Sequence, residues 1–136
     1  MLALVRRHWP EYLIEAALLA LFMLSASSFG LLLEHPASPV RAALADPFLR
    51  RVLMGCAMGL TAVALVYSPL GQRSGAHMNP AVTLTFLHLG KLSAGDSAAY
   101  VVAQFFGGAA GMGLAALLYG RLLADPHVDY VVTRPG

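Results

Sequence analysis

Residues 74–83, Ser-Gly-Ala-His-Met-Asn-Pro-Ala-Val-Thr, combine residue types that suit a polar passage through an apolar medium. Asn79 followed by Pro80 predicts the start of a helix, because asparagine is a good N-cap and proline suits the first helical position. When the side-chain oxygen of Asn79 serves as the cap, its NH2 group is free to donate to a passing oxygen. The helix N-terminus adds about half a positive charge there, which disfavours cations but not neutral molecules.

The residues just before Asn79 are predicted to be extended, so that the carbonyl groups of residues 74–78 lack helical partners. Irregular backbone at membrane depth is tolerated only where it is buried in protein or lines a wet cavity. Facing a cavity, these carbonyl groups would form a row of acceptors for water or hydroxyl groups. The predicted pore lining is Gly75, Ala76, His77, Met78, Asn79, Pro80 and Ala81.

The helix that Asn79 begins is predicted to be short, because Gly90 suits the position just past a helix end. About ten or eleven residues rise only roughly 16 Å, whereas the hydrocarbon core of a bilayer is about 30 Å thick. The segment is apolar, yet it can cross only half of the membrane. Its length is typical of a re-entrant helix.

Three longer apolar segments surround this helix, and each is long enough to cross a bilayer in the roughly 20 residues required. Hydrophobic residues make up 58% of the 136 residues and charged residues only 12%, against about 25% charged in a typical soluble domain. The first segment is longer than the apolar core of a signal peptide, roughly 7–15 residues, and is predicted to be an uncleaved span. The three segments, none of which contains a charged residue, are residues 16–33, 52–70 and 97–120.

These features predict an all-α integral membrane fold with three transmembrane helices and one re-entrant half-helix. Residues 1–136 form a single domain in this interpretation. The first helix is predicted to open at Pro10 and Glu11, the second at Pro47, and Ser93 is predicted to cap the third. The predicted segments are spans at about 11–33, 50–70 and 96–122, a pore loop with half-helix at 71–90, a loop at 34–46 and a polar tail at 123–136.

Small residues recur at four-residue spacing in two of the spans, which lets helix backbones approach closely in lipid. Gly55 and Gly59 do so in the second span, and Gly107 and Gly111 in the third. In the third span the pattern also includes Ala99, Ala103 and Ala115. We therefore expect helix packing at these glycines.

The string Ser-Gly-Ala-His-x-Asn-Pro-Ala-Val-Thr is similar to the first signature loop of the major intrinsic protein family, the aquaporins and glycerol facilitators. Residues 100–108 resemble the third span of that family, where a glutamine braces the loop, and this implies a bracing role for Gln104. Glu15 resembles the first-span glutamate that holds the pore-loop backbone. The resemblance implies that His77 braces the loop and offers its carbonyl group.

The resemblance covers only half of a family member, because full members have six spans in two inverted repeats, each with one half-helix. The second loop of the family carries an arginine after Asn-Pro-Ala, and Val82 stands there in this chain, so the chain resembles the first repeat. Three alternatives follow: a fragment of a longer channel, a half that pairs with a separate second half, or a half that pairs with itself in antiparallel fashion. Lys and Arg number four on one predicted side of the membrane and five on the other, which gives no orientation bias.

The sequence as a whole predicts a passive channel half-subunit for water or small neutral solutes such as glycerol, conducting after it pairs with a second half. The alternative is a truncated or structural membrane protein without independent transport. No enzyme activity, cofactor or metal ion is expected, since the sequence shows no Ser-His-Asp set, metal cluster or phosphate-binding glycine loop. The expected partners are the lipid bilayer, the solute and the second half, and no nucleic acid; the expected location is a bacterial inner (plasma) membrane.

Overall fold

The computed structural model describes the backbone of residues 2–132 and the side chains of residues 7–132. Within these residues all regular secondary structure is helical. Three helices are long and apolar enough to cross a membrane, and they accompany one short helix that follows the pore loop. The α-helices are α1 Leu2–Glu34, α2 Pro39–Ala43, α3 Pro47–Tyr67, α4 Pro69–Ser74, α5 Pro80–His88 and α6 Ala94–Tyr119. The predicted fold class, an all-α membrane protein with a half-helix, is thus confirmed.

Helix α1 begins at Leu2 and continues through Pro10, so the prediction that Pro10 opens this helix is wrong. A proline inside a helix removes one backbone hydrogen bond and usually bends the helix, but it does not have to end it. The preceding residues are good helix formers and extend the helix by two turns. Helix α3 begins at Pro47, where Asp46 caps it by accepting a hydrogen bond from the Phe48 N–H at 2.9 Å.

Helices α1 and α6 form the closest pair of the fold. A Cβ atom on Gly107 would collide with the backbone of Ala16, and one on Gly111 would lie 2.6 Å from the carbonyl oxygen of Ala20. The backbones of the two helices therefore touch at these points, as small residues permit in membrane proteins. Helices α3 and α4 pack against α1 of this pair, and α5 packs against α6.

The segment between α1 and α3, predicted as a loop, contains the five-residue helix α2, which Ser38 caps. The end of α1 and the start of α3 are joined by Arg50, a buried residue of α3. Its guanidinium contacts the carboxylate of Glu34 at 3.2 Å and donates to the carbonyl groups of Leu44 and Ala45. Burial of the arginine is tolerated because its donors have partners.

The C-terminal part of the described chain folds back on α1, which makes the predicted polar tail at 123–136 wrong for the residues the structure describes. Short 3₁₀ segments cover Gly120–Ala124 and Asp129–Val131. Leu123 and Val128 are buried with Ala115 in one apolar cluster. Burial in this cluster removes their apolar surface from water, which is favourable. The acidic and proline residues nearby favour a solvent-exposed tail in the sequence-based prediction. Residues 133–136 lie outside the described part.

Candidate functional site

The pore loop begins with helix α4, which ends at Ser74, and this corrects the prediction that residues 74–78 are extended. Gly75 caps α4 in the left-handed region at φ 89°, a conformation that suits glycine. Ala76 and Met78 also have positive φ, 44° and 47°. Such non-glycine conformations are uncommon and persist where the surrounding structure holds them. The loop is therefore a compact coil held by its neighbours.

Helix α5 begins as the sequence predicts, with Asn79 as N-cap and Pro80 in the first turn. The Oδ1 atom of Asn79 accepts a hydrogen bond from the Ala81 N–H at 2.8 Å. The Nδ2 group makes no hydrogen bond to any described residue, and Asn79 is exposed on the surface of the single chain. The helix ends at His88, so it has nine residues and rises about 13 Å, less than half of the bilayer thickness.

Glu15 of α1 and Gln104 of α6 lie fully buried behind the loop. The Oε1 atom of Glu15 accepts a hydrogen bond from the Met78 N–H and another from the Gln104 Nε2 group at 3.0 Å. A buried carboxylate that accepts a backbone N–H holds that stretch of backbone in place. The structure thus brings together the two residues that the sequence assigned to bracing and the loop they are expected to brace.

Thr83, the last residue of the predicted pore motif, joins the same network, a role that the sequence did not predict for it. It is fully buried in the second turn of α5, and its Oγ1 atom accepts a hydrogen bond from Gln104 Nε2 at 2.9 Å. The same Oγ1 lies 3.1 Å from His77 Nδ1 and 3.3 Å from the carbonyl oxygen of Asn79. Its place four residues after the N-cap was the available signal, because that spacing turns a helical side chain back toward the cap.

Aromatic side chains hold the rest of the loop. The ring of His77 is buried, stacks on Phe86 of α5 with ring centroids 4.7 Å apart, and lies 5.1 Å from Tyr100 of α6. The Tyr100 hydroxyl donates to the carbonyl oxygen of Ser74 at 2.6 Å. The ring of Tyr12 packs edge-on against Tyr100. These contacts fix the loop from the side of the α1–α6 pair.

The opposite side of the loop is open. Gly75, Asn79 and Ala81 are exposed, Pro80 and Met78 are partly exposed, and Ala76 and His77 are buried. No described residue donates a hydrogen bond to the carbonyl groups of residues 75–78. The hydrogen bonds behind the loop reach the Met78 N–H and not these carbonyl groups, which therefore have no described partner. These carbonyl groups and the Nδ2 group of Asn79 are thus hydrogen-bonding groups of the loop without a partner among the described residues.

The four glycines predicted to pack helices divide into two pairs. Gly107 and Gly111 are buried against α1, as described above. Gly55 and Gly59 of α3 have no described atom within 4 Å of the position that a Cβ atom would occupy, and both are exposed. Packing at the second pair stays a prediction.

The fold and the site define a membrane protein of the re-entrant half-helix class. The family model of the major intrinsic proteins matches residues 6–134. The chain belongs to this family.

Several relatives are similar to part of the chain. Aquaglyceroporin AqpS of Rhizobium meliloti (strain 1021) is 48% identical over 75 residues, which are 55% of this chain and 32% of that protein. Aquaporin NIP1-2 of Arabidopsis thaliana is 45% identical over 80 residues, 57% of this chain and 27% of that protein. Probable aquaporin AqpM of Archaeoglobus fulgidus is 45% identical over 58 residues, 43% of this chain and 23% of that protein.

The matched part spans about a third or less of the length of these relatives, 32% and 27% for the first two. This partial coverage fits a single repeat of the family. No solved structure matches the chain significantly. Among residues 7–132, no group of three or more histidine, cysteine or acidic side chains lies close enough together to hold a metal ion.

Proposed function

We propose that this chain is one half of a passive membrane channel for water or small neutral solutes such as glycerol. The observation that carries the proposal is the open face of the pore loop. Free carbonyl groups of residues 75–78 lead to the unused Nδ2 group of Asn79 at the N-terminus of a half-helix. A neutral molecule with both donor and acceptor groups can replace its hydrogen bonds to water along this path.

Charge selection follows from the same geometry. The N-terminus of α5 carries about half a positive charge, which raises the energy of a cation or hydrated proton at this depth. Asn79 adds a donor rather than an acceptor, so it binds the oxygen of water and offers nothing to a cation. We infer that the channel is passive and discriminates against cations.

The pore needs a second half, because the nine residues of α5 cross less than half of the bilayer. A cavity of about 380 Å³ lies beyond the N-terminus of α5, between α1 and α6, and its apolar wall includes Leu19, Met23 and Met112. Met23 and Met112 lie two turns beyond Glu15 and Gln104, toward the other membrane face. The cavity therefore occupies the half of the membrane that α5 does not reach.

Gln104 supplies the polar feature of this cavity. Its Oε1 atom is buried and has no hydrogen-bond partner among the described residues. A buried acceptor without a partner costs about 1–3 kcal/mol. We propose that the N-terminal end of the half-helix of a second repeat occupies this cavity, beside Gln104. That repeat belongs to a continuation of this chain, to a separate chain or to an antiparallel copy.

The test is stopped-flow shrinkage of proteoliposomes. The purified chain is reconstituted alone and its water and glycerol permeabilities are compared with those of empty vesicles. Cross-linking in the same vesicles measures the assembled fraction. Permeability that rises with the assembled fraction supports the proposal. Permeability equal to that of empty vesicles, at a high assembled fraction, would contradict a channel formed by two antiparallel copies of this chain.

The expected location, a bacterial inner membrane, rests on the bacterial relative that resembles this chain and is likewise a proposal. The apolar helices and the family place the chain in a membrane but do not specify which one. Fractionation of the producing cell followed by immunodetection tests this assignment.

A further inference from the structure

Another cavity, of about 350 Å³, lies where α1 ends and α3 begins. The pore loop follows the other end of α3, so the cavity is at the opposite membrane face. Its size is at the lower end of the roughly 300–1,000 Å³ typical of ligand pockets. It is bounded by the end of α1, the first turns of α3 and the Asp129–Val131 segment. The apolar part of its wall includes Gly30, Leu33, Met54, Val128 and Val131.

The polar and apolar parts of this cavity are separated by depth. Arg51 and Glu34 lie near the ends of their helices, at the level where helices leave the hydrocarbon. Met54 lies almost one turn farther into α3, and Gly30 lies one turn before the end of α1. The cavity therefore has a charged rim and an apolar interior that follows the direction of the membrane-spanning helices.

The rim carries one arginine without a partner among the described residues. The carboxylate of Glu34 is engaged by the neighbouring Arg50, which also donates to two carbonyl groups. Arg51 has no hydrogen bond or ion pair with any residue from 7 to 132 and is exposed. A guanidinium in this position is a preferred donor to phosphate.

His127 forms the other side of the rim, and Asp125 fixes its position. The Oδ1 atom of Asp125 accepts from the His127 N–H at 2.9 Å and lies 2.9 Å from His127 Nδ1. These two hydrogen bonds hold the pKa of the Asp125 carboxyl below its usual range. A carboxylate can only accept, so Nδ1 carries the hydrogen and Nε2 of the neutral ring is an acceptor, which gives a phosphate no donor. His127 therefore bounds the rim, and Arg51 supplies the donor to an anion.

We propose that this cavity binds one anionic phospholipid, with its phosphate beside Arg51 and an acyl chain along the apolar wall. The unpaired guanidinium complements the negative headgroup, as an arginine near a membrane surface attracts anionic lipids. A free anion would use only the rim and would leave the adjoining apolar interior empty. The inference concerns a different surface from the proposed pore and holds whether or not the chain conducts.

The experiment is native mass spectrometry of the full chain in a mild detergent, with phosphatidylglycerol and phosphatidylcholine of identical acyl chains as probes. The wild-type chain is expected to bind phosphatidylglycerol several-fold more. Arg51→Gln should reduce phosphatidylglycerol binding about fivefold, the effect of one arginine near an anionic surface. Arg121→Gln is the matched control, because Arg121 is also exposed at this membrane face but does not line the cavity.

Three results would overturn the proposal. The first is equal binding of the two lipids by the wild-type chain, a comparison that does not depend on the folding of any variant. The second is an equal loss of phosphatidylglycerol binding in the two glutamine variants. The third is displacement of phosphatidylglycerol by millimolar inorganic phosphate, which would show a site for a free anion.

Discussion

Helices α6 and α3 carry the same pattern, two glycines four residues apart, with different outcomes. In α6, Gly107 and Gly111 bring the backbone against α1 so closely that no Cβ atom fits. In α3, Gly55 and Gly59 face open space within the described chain. The spacing therefore indicates that a helix face can be approached, but it does not indicate which molecule approaches it.

The contrast extends to the whole helices. Seven residues of α6 are buried, including Tyr100 and Gln104, which contact the pore loop or its supporting glutamate. Helix α3 has one buried residue, Arg50, in its first turn. The α1–α6 pair thus holds the loop in position, while α3 leaves most of its surface to lipid or to a partner.

The largest effect is expected for Gly107→Leu, because a side chain there must push α1 away from the loop. Overpacking of a close contact costs about 3 kcal/mol when the backbone cannot shift. Thermal or denaturant unfolding in detergent measures the loss. Gly113→Leu is the control in the same helix, since Gly113 has no described atom within 4 Å of its Cβ position. An equal loss of unfolding free energy in the two variants would contradict the conclusion that Gly107 packs against α1 whereas Gly113 does not.

A smaller effect is expected for Gln104→Leu, which keeps the volume but removes the donor to Glu15 and Thr83. We expect a loss of about 1–2 kcal/mol in the free energy of unfolding, because two buried acceptors lose one partner each. Water flux in proteoliposomes should fall as well, since the loop loses its support. Val102→Leu, at an exposed site of α6, is the control and should change stability by less than about 0.5 kcal/mol. A Gln104 variant as stable as this control would argue against bracing.

Local rules were sufficient to predict α5 from the sequence. A cap at Asn79, a proline after it and a glycine at position 90 act on neighbouring residues, so their effect does not depend on the rest of the fold. The three long helices were predictable because a bilayer imposes a length and a polarity on any span.

Other features depended on contacts between distant residues. The left-handed backbone of Met78 is held by Glu15, which accepts a hydrogen bond from the Met78 N–H and lies 63 residues earlier in the sequence. The position of Thr83 between Gln104 and His77 requires three elements to meet. Leu123 is buried only because the chain turns back onto α1. In each case the deciding partner lies far away in sequence.

Asn79→Asp should leave the free energy of unfolding almost unchanged but alter conduction. Variants on the braced side of the loop, such as Gln104→Leu, should lower both stability and water flux. Aspartate is as good an N-cap as asparagine, so the expected change in unfolding free energy is below about 0.5 kcal/mol. The Nδ2 donor is replaced by an acceptor, so we expect lower water flux and a greater proton leak. Asn79→Ala, which removes cap and donor without adding charge, should cost about 1 kcal/mol. Unchanged flux and leak in the aspartate variant would contradict the proposed selectivity mechanism.

The smallest effect on the chain itself is expected for Gly55→Leu, and this variant returns to the contrast between the two helices. Because no described atom lies within 4 Å of the Gly55 Cβ position, the free energy of unfolding of the isolated chain should change by less than about 0.5 kcal/mol. We expect the assembled fraction in vesicles, measured by cross-linking, to fall. A leucine would prevent close approach of another helix, whereas lipid chains can adapt to it. An unchanged assembled fraction would mean that lipid covers this face, and the glycine pattern of α3 would then have no packing role.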